Sequence, residues 1–133
     1  MQTSFDVRTP KRTCYVNITR EVERAIADLG VESGAVLIHV PHTTAAVTIN
    51  ENADPDVVAD LDSTLNALVP RSERYRHREG NSDAHVKSTL VGCSQTILVD
   101  GGAPVLGTWQ RIFFCEFDGP RSRRVIVGTF AQG

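Results

Sequence analysis

Short β-forming runs recur along the chain, from TSFDV and TCYVNI near the start, through AVLIHV, AAVTIN and QTILVD, to TWQRIFFCEF and RRVIVGTF near the end. Helix-period segments interrupt them in only two or three places. Parallel strands need a crossover, usually a helix, between each pair, whereas antiparallel strands need only a turn. The pattern therefore predicts an α+β fold: a single compact domain over residues 1–133, with a mainly antiparallel sheet and two or three helices. At 133 residues the chain can bury one core without a metal or disulfide to staple it. No repeat or linker divides it.

Local chemistry sharpens this outline. TSFDV and TCYVNI, separated by RTPKR, read as a hairpin or two neighbouring strands. In NITREVERAIADLG, Thr19 is placed to cap a helix, Glu21 and Glu23 to face its positive end, and Val22, Ile26 and Leu29 to share its buried face, with Gly30 as the stop. The apolar run Ala35 to Val40 reads as a strand buried on both faces. Asp54, Pro55 and Asp56 form a strong helix start, followed by a stripe of Val57, Val58, Leu61, Leu65 and Leu68 that ends before Pro70. RSERYRHREGNSDAH reads as a polar loop, and VKSTLVG is ambiguous between helix and strand.

Charge and hydropathy exclude several roles. A net charge of −2 does not supply the broad basic surface of a nucleic-acid binder. No apolar run is long enough to span a bilayer, and MQTSFDVRTPKR lacks the apolar core of a secretory signal, so a cytoplasmic location without membrane contact is expected. Cys14, Cys93 and Cys115 are odd in number, widely spaced and free of any CxxC pattern, and are read as reduced packing residues.

Candidate chemistry centres on His42, His77 and His85, which fall in loops or at element ends, where a scaffold can aim side chains into one cleft. Three imidazoles suit zinc or another transition metal with a fourth position open, although solvated loop histidines are equally natural there. His39, inside VLIHVP, reads as a core or interface residue. Glu51, Glu79 and Asp83 are the carboxylates considered for a general base or an orienting role beside the histidines. Thr43 and Thr44 offer hydroxyls beside His42, and Asn81 lies within the same polar segment as His77 and His85. Thr108 and Gln110 in LGTWQ, and Arg121 with Arg123 and Arg124 in DGPRSRR, are candidate anion contacts; the arginines equally suit a soluble strand edge.

The blocks VLIHVPHTTAAVTINENADPDVVADL, YRHREGNSDAHVKSTLVG and GTWQRIFFCEFDGPRSRRVIV together cover most of the chain, and in them it resembles the YjbQ family, whose members are described as secondary thiamine-phosphate synthases. The resemblance implies a homotrimer with His42, His77 and His85 around a metal or anion pocket and Glu51, Glu79 and Asp83 nearby. It implies a metal-assisted enzyme acting on a phosphorylated small molecule, joining a pyrimidine pyrophosphate to a thiazole phosphate. A histidine triad favours zinc or another transition metal over magnesium, which serves pyrophosphate chemistry through carboxylates and water. A non-catalytic trimeric module binding metal or anion, and a metal-dependent hydrolase, are the alternative expectations.

Overall fold

The computed structural model describes residues 1–130. Eight strands and three helices follow in the order β1 (Gln2–Arg8), β2 (Cys14–Asn17), α1 (Thr19–Leu29), β3 (Ser33–His39), β4 (Ala45–Glu51), α2 (Pro55–Leu68), α3 (Ser82–Val91), β5 (Ser94–Asp100), β6 (Ala103–Pro104), β7 (Gln110–Glu116) and β8 (Ser122–Thr129). They form a five-stranded sheet, ordered β1-β8-β3-β5-β6, and a three-stranded sheet, ordered β2-β7-β4. Every pairing is antiparallel. The α+β reading with a mainly antiparallel sheet therefore holds, and the helices number three.

The two sheets share one core. Val36 and Ile38 of β3, Val125 and Val127 of β8, and Ile97 and Val99 of β5 alternate inward from the larger sheet, as the twofold repeat of a strand requires. Val47, Ile112 and Phe114 meet them from the smaller sheet, and Val22 and Ile26 of α1 complete the cluster. The opposite face of the smaller sheet is also covered: Ala46, Cys115 and Phe117 pack with Ala84, Tyr15, Leu65 and Val91. Strand β7 is thus buried on both faces from Ile112 to Glu116, and the start of β4 beside it likewise. In β3 only Val36 and Ile38 are fully covered, while Leu37 and His39 on the other face are half-buried, which corrects the reading of that run.

Three local expectations change. The first two strands do not form a hairpin, because β1 pairs with β8 and β2 with β7, in different sheets. Thr19 is the first residue of α1 rather than its cap; its hydroxyl donates to Asn17 Oδ1 and accepts the N–H of Ile112, tying the helix start to β7. The polar loop stops sooner than its composition implied, since Asn81 precedes α3 and Ser82 to His85 form its first turn. Asp54 and Pro55 start α2 as anticipated, with Asp54 Oδ1 accepting the Asp56 N–H, and Gly30 ends α1 in the left-handed conformation at φ 69°.

The cysteines divide by position. Cys115 is buried, Cys14 half-buried and Cys93 exposed, so packing accounts for the first but not the last. Among the described residues no helix is long and apolar enough to cross a membrane.

Candidate functional site

One end of the molecule collects the chemistry. The β3–β4 turn brings His42, Thr43 and Thr44, the turn between β7 and β8 brings Asp118 and Arg121, and the first strand position of β8 that faces inward brings Arg123. The α2–α3 loop and the start of α3 add His77, Glu79, Asn81 and His85. Together they line a cavity of about 480 Å³. A second concavity, of about 380 Å³, adjoins His42 and His85 and reaches Ser88, Thr89 and Cys93.

The floor of this end is a buried ion pair. Glu116 follows Ile112 and Phe114 on the inward face of β7, and Arg123 precedes Val125 on the inward face of β8, so they meet where the core reaches the cavity. Burial alone would raise the Glu116 carboxyl, but hydrogen bonds from Arg123, Thr9 and the Asp118 N–H overcome it and hold the group below the ordinary carboxylate range. Arg123 Nε donates to Glu116 Oε1 at 2.8 Å, and its Nη2 donates to Glu116 Oε2 and, at 2.9 Å, to Thr44 Oγ1. Thr44 is thereby fixed, and the guanidinium lining the cavity is already neutralised.

The imidazoles are held differently. The Arg124 backbone N–H donates to His42 Nε2 at 3.0 Å. Burial, and then the positive charge of Arg123, lower the His42 pKa and favour its neutral form. A neutral ring that accepts at Nε2 carries its proton on Nδ1. His77 Nε2 lies 3.6 Å from Glu79 Oε2, and the His77 and His85 rings meet edge to face, 5.4 Å apart at 89°.

Arg121 is bound to Asp118 twice, by Nε to the backbone oxygen at 2.7 Å and by Nη2 to Oδ2 at 3.1 Å. Asn81 Nδ2 donates to the same Asp118 Oδ2 at 2.9 Å, so its side chain makes no bond that caps α3.

Of the residues singled out in the sequence, His42, Thr43, Thr44, His77, Glu79, Asn81, His85 and Arg121 come together at this cavity. Asp83 does not line it. Its carboxylate is buried beneath the first turn of α3, where Arg12 donates to both oxygens at 3.1 Å and Lys87 Nζ lies 3.7 Å away. Burial would raise Asp83, but the Arg12 bonds outweigh it and lower its pKa. Glu51 stands at the far end of β4, six residues beyond Ala45 and thus about 20 Å along the strand. It pairs in register with Gln110, whose Oε1 accepts the Gly107 N–H, while Thr108 is exposed in the same distant turn.

Asp118, Glu116, Arg12 and Lys87 escaped sequence reasoning. Glu116 did carry a signal, because a carboxylate inside the apolar run FFCEF has to find a partner once buried.

The expected metal does not fit the placement of these donors. His42 Nε2 is already engaged by a backbone N–H, and among the described residues no group of three histidine, cysteine or carboxylate side chains converges on one point. A metal on His42 Nε2 would have to displace that bond.

The fold and this end of it define a class: a small α+β protein with two antiparallel sheets and a histidine- and arginine-lined pocket at one end. The chain belongs to the UPF0047 family, since the model for UPF0047 protein YjbQ-like matches residues 3–132. A UPF0047 protein of Methanocaldococcus jannaschii is 54% identical over 123 residues, 92% of this chain and 89% of that protein. The UPF0047 protein YugU of Bacillus subtilis is 52% identical over 128 residues, 96% and 97% of the two chains. The crystal structure of an uncharacterized conserved YjbQ/UPF0047 protein from Clostridium acetobutylicum superposes with a TM-score of 0.92 at 45% identity, covering 95% of this chain and 98% of that one. A hypothetical protein from Aeropyrum pernix also gives 0.92, at 37% identity and 99% coverage of both.

These relatives correct the functional expectation. The family model and the relatives named above carry a family designation and no reaction, so membership brings neither thiamine-phosphate synthesis nor metal-dependent catalysis to this chain. The resemblance identified the family; the activity attached to it does not stand.

Proposed function

We propose that the cavity bounded by His42, His77 and His85 is a proton-transfer site for a small polar molecule presenting a carbonyl or carboxylate oxygen, with the imidazoles acting as hydrogen-bond and proton-transfer groups rather than as a metal cage. The observation that carries this reading is the 3.0 Å bond from the Arg124 N–H to His42 Nε2. It supports a neutral ring with Nδ1–H free to donate to a ligand oxygen, a role in which a neutral imidazole polarises a carbonyl without giving up its proton. His77, 3.6 Å from Glu79 and in edge contact with His85, is the partner suited to take and return a proton. Arg121, held by Asp118, adds a directional donor at the rim.

The test is nitrogen NMR of the three imidazoles between about pH 7 and 8, with pyruvate and lactate as probes. His42 should remain neutral and protonated at Nδ1, both probes should shift all three rings, and protein in deuterated water should accelerate exchange of the probes' C–H hydrogens. A proton on Nε2 of His42, or probes that leave the rings unmoved, sinks the reading.

The same proposal includes self-association, as the trimer that the family resemblance implies. It is supported by α2, which buries none of its residues and leaves Leu68 70% exposed. Sedimentation of the wild type and of Leu68→Lys checks it. A cytoplasmic location is supported by the unpaired thiols, including exposed Cys93, which suit a reducing compartment.

A further inference from the structure

The α2–α3 loop carries four arginines, Arg71, Arg74, Arg76 and Arg78, against two glutamates, Glu73 and Glu79. In a chain of net charge −2 this is a strong local excess. All four line a cavity of about 600 Å³, together with Glu73, Tyr75 and His77. Among the described residues none of the four is paired with a carboxylate, in contrast to Arg12, Arg121 and Arg123, each of which has one.

The loop is also tied to itself. Tyr75 Oη donates to the Pro70 carbonyl at 3.0 Å, the Arg74 N–H donates to Ser72 Oγ at 3.1 Å, and Arg71 Nη2 reaches the Gly80 carbonyl at 3.4 Å. Gly80 takes φ 79°, which lets the chain turn into α3 and leaves Arg71 Nη2 as the nearest atom to any side chain there. Concentrating like charge on a closed loop is costly unless something compensates it, and guanidiniums around a ligand-sized hollow are matched to oxyanions, which they bind through paired, charge-assisted hydrogen bonds.

We propose that this loop is a binding subsite for a small polyanion, a molecule with two or more oxyanion groups such as a polyphosphate or a polycarboxylate. It goes beyond the reading of the histidine cavity and does not depend on it. His77 lines both hollows, so a polyanion seated on the loop lies against the wall of the proton-transfer site.

The experiment is calorimetric titration of the whole protein with inorganic tripolyphosphate and, separately, citrate, at low and moderate salt. The expected result is one saturable site per chain, weakening as salt screens it, with affinity lowered about tenfold or more in Arg74→Ala/Arg76→Ala/Arg78→Ala. His42→Ala should bind tripolyphosphate within about twofold of wild type, which separates this subsite from the histidine cavity, where a carboxylate such as citrate could also seat. Response to tripolyphosphate alone makes the ligand a phosphorylated one, response to citrate alone a polycarboxylate; either supports the proposal when the triple arginine variant weakens it. In the wild type, the bound anion should also slow trypsin cleavage within residues 71–78, a readout that needs no variant. Absence of saturable binding to both probes, equal affinity in the triple variant, or unchanged cleavage overturns it.

Discussion

Glu116 should be the residue whose loss most damages the cavity end of the molecule. Its carboxylate is fully buried and accepts from Thr9 Oγ1 at 2.7 Å, from Arg123 Nε at 2.8 Å, and from the Phe117 and Asp118 N–H groups at 3.1 Å each. Glu116→Ala strands the Arg123 guanidinium, itself only 6% exposed, without its counter-charge. Removing one partner of such a pair costs roughly 3–5 kcal/mol, because the remaining charge keeps its desolvation penalty and loses its compensation. For a chain of this size that corresponds to a fall in Tm of about 10–20 °C. Replacing both, as Glu116→Met/Arg123→Met, should restore part of the loss, since two apolar groups of similar volume leave no charge buried. Urea unfolding followed by circular dichroism measures all three proteins. A single variant within about 1 kcal/mol of wild type, or a double variant less stable than Glu116→Ala, would refute the account of this pair as a closed, mutually compensated unit.

Stability should fall in acid in two stages. Glu116 and Asp83 have native pKa values below the ordinary carboxylate range, so their contribution is complete above about pH 4.5 and is lost as pH drops through the native values. His42 has a lowered native pKa, so the unfolded chain takes up its proton first, and a shallower loss begins as pH falls through about 6.5; His42→Asn should flatten that stage in a Tm-versus-pH series. Gly119→Ala should destabilise by about 1–3 kcal/mol in chemical unfolding, because a Cβ there would stand 2.3 Å from the Lys11 carbonyl oxygen and 2.9 Å from Thr9 Oγ1. Under native conditions a thiol reagent should modify exposed Cys93 first and spare Cys115, whose thiol is buried and whose pKa is pushed up by that burial; mass spectrometry before and after denaturation resolves the order.

Much of this protein was legible before folding because its local signals are strong. The turn-separated β runs, the Asp54–Pro55 helix start and the Gly30 stop act within a few residues, so the antiparallel α+β class, the end of α1 and the bounds of α2 follow from spacing and capping chemistry. His42, His77 and His85 could be chosen because loop histidines are few. What the tertiary structure alone decided is which charges meet. Arg12 finds Asp83 across 71 positions and Arg123 finds Thr44 across 79, separations at which periodicity carries no information. Sheet membership did the rest: it separated β1 from β2, carried Glu51 and Gln110 to the opposite end of β4, and set Glu116 facing Arg123. A side chain's type limits the chemistry it can do, but its protonation and its partners depend on burial and on neighbours supplied by other strands.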